Sequence, residues 1–114
     1  MFTLTPSAYA QDLDLSFGVD GMVTTNFPDT DNAYSIAIQS DGKIVAVGTQ
    51  NNNYALARYT TAGVLDTSFS GDGFAGYFTS PQGSAYSVAI QSDGKIVVAG
   101  FSNDNNNFAL ARYT

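Results

Sequence analysis

The stretch Ala33-Tyr34-Ser35-Ile36-Ala37-Ile38-Gln39-Ser40-Asp41-Gly42-Lys43-Ile44-Val45 returns from Ala85 to Val97 with a single Ile-to-Val exchange. Outward from it, Leu13-Asp14-Leu15-Ser16-Phe17 returns as Leu65-Asp66-Thr67-Ser68-Phe69, and Asp20-Gly21 as Asp72-Gly73, all displaced by 52 positions. After a two-residue insertion, Ala55-Leu56-Ala57-Arg58-Tyr59-Thr60 returns as Ala109-Leu110-Ala111-Arg112-Tyr113-Thr114. A fixed internal period marks a repeat architecture, in which one unit is too small to bury a core alone and stacking supplies the rest. The 114 residues therefore divide into a tail, 1–10, a first repeat, 11–64, and a second repeat, 65–114.

Each repeat reads as four short strands separated by turns. Tyr34 to Gln39 alternates and is rich in β-branched residues, and Ser40-Asp41-Gly42 forms a tight hairpin into Lys43 to Thr49. Gln50-Asn51-Asn52-Asn53 turns the chain into Tyr54 to Thr60, and Thr61-Ala62-Gly63 turns it again. The fourth strand is expected at Gly73 to Thr79, and in the first copy at Gly21 to Phe27. Both faces are apolar in Ile44-Val45-Ala46-Val47 and in Ile96-Val97-Val98-Ala99, the pattern of a sheet covered on both sides. A radial stack of sheets provides that cover, so the expected fold is all-β, with two four-stranded β-propeller blades per chain. A β-sandwich is the alternative.

Ten acidic residues, all Asp, stand against four basic ones, giving a net charge of −6. That balance lacks the positive field that nucleic acid or an anionic membrane surface requires. The absence of Cys and His excludes disulfides, thiolate and imidazole metal sites, and a Ser-His-Asp arrangement. With Glu absent as well, no ordinary general base is available near neutral pH, so a non-enzymatic role without a cofactor is expected. No segment is long and apolar enough to enter a membrane as a helix. Ser7-Ala8-Tyr9-Ala10-Gln11 carries the small-x-small pattern of a secretory cleavage point, so residues 1–10 are read as a signal-peptide remnant or a flexible tail.

The sequence Leu-Asp-x-Ser-Phe, then Asp-Gly, then Ala-Ile-Gln-Ser-Asp-Gly-Lys-Ile-Val, then Ala-Leu-Ala-Arg-Tyr resembles the delta-60 repeat, a bacterial propeller repeat similar to the NHL blade. The resemblance runs from Leu13 to Thr114 and implies a secreted or cell-surface protein. It also implies a strand order, with Tyr34 to Gln39 innermost and Gly73 to Thr79 outermost. On that order the last blade has three strands, and the N-terminal strand of another copy is expected to complete it.

Such donation joins unlike surfaces, so it closes a ring or grows a filament. Three copies, giving six blades, is the expected closure, and four copies with eight blades is the next. The expected function is a self-assembling module whose loops bind a glycan or protein ligand. A structural filament or surface-layer subunit, or a fragment of a longer repeat protein, is the alternative.

Binding on such scaffolds is carried by loops. The two copies differ most in their Asn-rich connections, making Asn51, Asn52, Asn53, Tyr54, Asn105, Asn106, Asn107 and Phe108 the candidate ligand surface. The same residues are also ordinary turn formers. Asp29 and Asp31 are a weak calcium candidate, since the rest of a calcium loop is missing around them. Arg58 and Arg112 recur once per repeat, as do Asp14 and Asp66, and are expected to form structural ion pairs.

Overall fold

In each repeat a Ser-Asp-Gly turn sets the first hairpin. The Gly42 amide donates to the Gln39 carbonyl, the Gln39 amide to the Lys43 carbonyl, and the Lys43 amide to Asp41 Oδ1. Gly42 takes the left-handed conformation that closes a three-residue hairpin loop, at φ 86°. The same three bonds recur at Gln91, Gly94 and Lys95, with Asp93 in the role of Asp41.

A computed structural model describes residues 12–27, 31–76, 82–103 and 106–114. Its strands are β1 (Asp31–Ile38), β2 (Ile44–Gln50), β3 (Asn53–Tyr59), β4 (Phe74–Ala75), β5 (Gly83–Ile90), β6 (Ile96–Ser102) and β7 (Asn107–Tyr113). They form two antiparallel meanders, a four-stranded sheet β1-β2-β3-β4 and a three-stranded sheet β5-β6-β7. The fold is all-β, with no helix among the described residues. The tail 1–10 lies outside them.

β4 belongs to the second sequence repeat but pairs with β3 of the first, Phe74 facing Ala57 and Ala75 facing Leu56. The sheets are thus offset from the repeats that encode them. The fourth strand expected in the first copy, Gly21 to Phe27, does not form as a strand in this chain. A strand there needs a preceding Ala-Leu-Ala-Arg-Tyr segment to pair with, and the 114 residues hold only the two that become β3 and β7.

The two sheets present opposite faces to each other. Val45, Val47, Tyr54 and Leu56 of the first, together with Phe69, pack with Ala85, Ile96 and Val98 of the second into one buried cluster. Val88, Ile90, Ala109, Ala111 and Tyr113 close over it. The side of each sheet that carries Val45, or its repeat equivalent Val97, is here called the front. The side that carries Ala46 or Val98 is the back. The core is then the front of the first sheet against the back of the second.

Tyr34 and Tyr86 occupy equivalent irregularities in β1 and β5, where the pairing slips by one residue, and their rings lie 5.1 Å apart. Gly48 and Gly100 face these bulges across the ladder. A Cβ at Gly48 would run into the Asn32 carbonyl oxygen, and one at Gly100 into that of Ser84. Glycine is required there by the close approach of the neighbouring strand.

Candidate functional site

The Asn-rich turn between β2 and β3 owes its asparagines to backbone geometry. Asn51 and Asn52 hold φ of 47° and 60°, a left-handed region that Asn tolerates better than most side chains, and Asn106 does the same at 52°. Asn53 Nδ2 donates to the Asn51 carbonyl at 3.0 Å, and the Asn52 carbonyl accepts from the Gly83 amide at 2.8 Å. The first sheet's turn is thereby tied to the first strand of the second. Asn107 begins β7, opposite Ser102, and Asn105 lies outside the described residues.

Tyr54 departs from the expected loop surface. It is 4% exposed, its ring lies in the inter-sheet core, and burial raises its phenol pKa. Its counterpart Phe108 is 80% exposed. The Asn-rich turns are on the surface, but the aromatic beside the first of them is a core residue, because Tyr54 shares with Leu56 the face of the first sheet that the second sheet covers.

At the weak calcium candidate, Asp31 Oδ2 accepts from the Phe27 amide at 3.0 Å, and Asp29 lies outside the described residues. The described residues contain no group of three or more His, Cys, Asp or Glu positioned to hold a metal.

The most developed polar arrangement is at Asp66, which is buried at the edge of the first sheet. Its Oδ2 accepts from Arg58 Nε at 2.8 Å and lies 3.2 Å from Lys43 Nζ. Its Oδ1 accepts from the Ser68 hydroxyl at 2.6 Å and the Ser68 amide at 3.2 Å. The Arg58 guanidinium stacks 4.6 Å from the centre of the Phe69 ring. The Ser68 hydroxyl, with Lys43, the Ser68 amide and Arg58, holds the Asp66 carboxyl well below the usual carboxylate range against the opposing effect of burial. One acid is thus matched by two cations and two further donors, which compensates the cost of removing it from water.

The motif Leu-Asp-x-Ser-Phe is explained by this clasp. Asp66 is the acceptor, Ser68 closes the turn onto it, and Phe69 provides the platform under the arginine. The expected pairing of Arg58 with an Asp is part of a larger group that also takes in Lys43 and Ser68. The signal was present, since Lys43, Arg58, Asp66 and Ser68 all have a repeat counterpart in Lys95, Arg112, Asp14 and Ser16.

In the second sheet the clasp is open. Among the described residues Arg112 is exposed and makes no ion pair, and Lys95 Nζ reaches only Asp93, at 3.4 Å. Asp14 likewise has no cation among the described residues, yet its turn is already formed. The Ser16 hydroxyl donates to Asp14 Oδ1 at 2.6 Å and the Ser16 amide at 3.0 Å, which lowers the Asp14 carboxyl pKa.

Residues 39–69 and 91–114 match the family model described as "Domain of unknown function (DUF5122) beta-propeller". The two segments fall one in each repeat, and they support a β-propeller repeat family. No curated protein and no solved structure matches the chain.

Proposed function

We propose that the protein is a non-enzymatic, self-assembling β-propeller module of the delta-60 type, in which each chain supplies two blades. The observation that supports this most directly is the mismatch between covered and uncovered faces. The front of the first sheet and the back of the second cover each other. The back of the first leaves Ile36 and Ile38 exposed at 62% and 57%, and the front of the second leaves Phe108 and Leu110 exposed at 80% and 63%. These open faces carry nearly the same residues as the pair already joined, so a second chain fits the first by repeating the contact. Apolar faces of this kind favour association.

The repeated contact is head-to-tail, and three chains would close six blades. Closure would set the Asn51–Asn53 and Asn106–Asn107 turns in a repeating array, suited to weak glycan or protein binding multiplied by avidity. A secreted or cell-surface setting fits the small-x-small pattern of the tail. Light scattering on the purified 114-residue chain tests assembly. A discrete mass of three or four chains is expected, a broad high-mass distribution would turn the reading to a filament, and a single-chain mass at high concentration would overturn it.

A further inference from the structure

Two Leu-Asp-x-Ser-Phe turns occur in the chain, and the hydrogen bonds that close Asp14–Gly21 recur at Asp66–Gly73, whereas Val19 and Met22 also exchange two backbone bonds that have no counterpart at Gly71 and Phe74. The Phe17 amide donates to the Asp14 carbonyl at 3.0 Å, and the Phe69 amide to the Asp66 carbonyl at 3.0 Å. The Gly21 amide donates to the Phe17 carbonyl at 2.9 Å, and the Gly73 amide to the Phe69 carbonyl at 2.7 Å. Ser16 closes on Asp14 as Ser68 closes on Asp66.

What differs is the strand beside each turn. The second turn is tied to β3: the Asp66 amide donates to the Arg58 carbonyl at 2.8 Å, the Arg58 amide to the Gly73 carbonyl at 3.1 Å, and Leu65 bridges to Tyr59. The first turn has no such strand among the described residues. It rests against the back of the first sheet, with the Gly18 amide on the Ala62 carbonyl at 2.8 Å and Thr25 Oγ1 2.6 Å from Tyr59 Oη.

We propose that the Leu13–Gly21 turn of one copy docks on the outer edge of β7 in a second copy, which no strand covers among the described residues, and that its Asp14 completes a clasp there with Lys95 and Arg112. The partner is a second copy because the complementary charges are the exact repeat counterparts of a clasp the chain already forms. Asp14 offers a preformed acceptor, Arg112 pairs with Val97 on the front face that also carries the exposed Leu110, and Lys95 lies two residues before Val97. In the docked pair Leu13 faces Tyr113 as Leu65 faces Tyr59, and Met22 and Val23 take the places of Phe74 and Ala75 on the edge strand. Phe17 then lies under Arg112 as Phe69 lies under Arg58. The same register brings the open back of one chain's first sheet onto the open front of the other chain's second sheet.

This inference rests on the self-assembly proposed above, and one set of experiments separates the two. Leu65 and Tyr59 form a narrow, non-hydrogen-bonded antiparallel pair, flanked by the Asp66-to-Arg58 and Thr60-to-Val64 backbone bonds. Such a pair has a Cα separation of roughly 4.5 Å, within reach of a disulfide. The chain has no cysteine of its own. Leu13→Cys and Tyr113→Cys chains, mixed under mild oxidation, are therefore expected to give a disulfide-linked heterodimer that neither variant gives alone.

Tyr113 packs in the core, so a second pair, Asp12→Cys with Thr114→Cys, both at exposed positions, tests the same register with a short bifunctional maleimide. Arg112→Glu, introduced into the Thr114→Cys chain, is expected to abolish that cross-link. A multimer mass for the wild-type chain without either cross-link would overturn the docking and leave self-assembly standing. A single-chain mass would overturn both. A cross-link that survives Arg112→Glu would overturn the clasp.

Discussion

Leu56 and Leu110 sit in the same Ala-Leu-Ala-Arg-Tyr segment and pair across equivalent ladders, yet one is 1% exposed and the other 63%. Arg58 is clasped to a buried acid while Arg112 is open. The two sheets have nearly the same sequence, so the difference lies in what stands beside each. The first has a fourth strand and a neighbour on its front face, and the second has neither among the described residues. Environment in a repeat protein is conferred by the adjoining unit, which is why stability there is shared between intrinsic and neighbour contributions.

The sharpest way to break this comparison is truncation at the two leucines. Leu56→Ala opens a cavity in the inter-sheet core and is expected to cost about 2–5 kcal/mol in urea unfolding. Leu110→Ala in the dilute single chain is expected to stay within about 0.5 kcal/mol, the usual range for a surface change. If the cost of Leu110→Ala rises with protein concentration, a second chain covers that face. Equal costs at all dilutions would mean that the asymmetry between the sheets is not real.

Contacts inside a sheet should behave the opposite way. Gly48→Ala and Gly100→Ala each push a methyl into the carbonyl of the adjoining strand, and at Gly100 the methyl also meets Tyr54 Oη of the first sheet, so both are expected to destabilise by about 1–3 kcal/mol. Similar values for the pair, measured by the same unfolding, would confine the difference between the sheets to what lies outside them.

Acid should separate the two turns. The folded pKa of Asp66 is depressed, so its contribution is complete above the unfolded carboxylate value of about 4 and is lost as pH falls toward the folded one. Stability is therefore expected to decline below about pH 4, and Asp66→Asn should flatten that decline more than Asp14→Asn, whose carboxylate has no cation among the described residues. The readout is the unfolding midpoint across an acid series.

The smallest effect appears only in alkali. Burial, with a lesser contribution from Tyr54, pushes the Tyr113 phenol up to about 12. A raised pKa gives a contribution that is complete below the unfolded value of about 10 and is lost as pH rises toward 12. Tyr113→Phe should therefore lessen the fall in melting temperature between those two pH values and leave it little changed near neutrality.

Local structure was largely legible beforehand. The Ser-Asp-Gly hairpins, the strands on either side of them and the Asn turns follow from alternation and from which residues tolerate a left-handed backbone. The candidate ligand surface was legible only in part. Tyr54 and Phe108 follow the same Asn run, and no property of that run tells which aromatic will be covered. Gly21 to Phe27 carries the pattern of a fourth strand, but a strand needs a partner edge, and none of the described residues offers one there.

By itself the sequence determined the period, the strands, the turns and the residues that recur once per repeat, because these depend on short-range sterics and on which side chains alternate. The tertiary structure alone decided which face of each sheet is buried, which aspartate is clasped and which arginine is left open, because those outcomes depend on the surface that a neighbouring sheet brings. Two nearly identical repeats differ here for that reason: apolar burial and charge pairing both need a partner from outside the segment that supplies the residues.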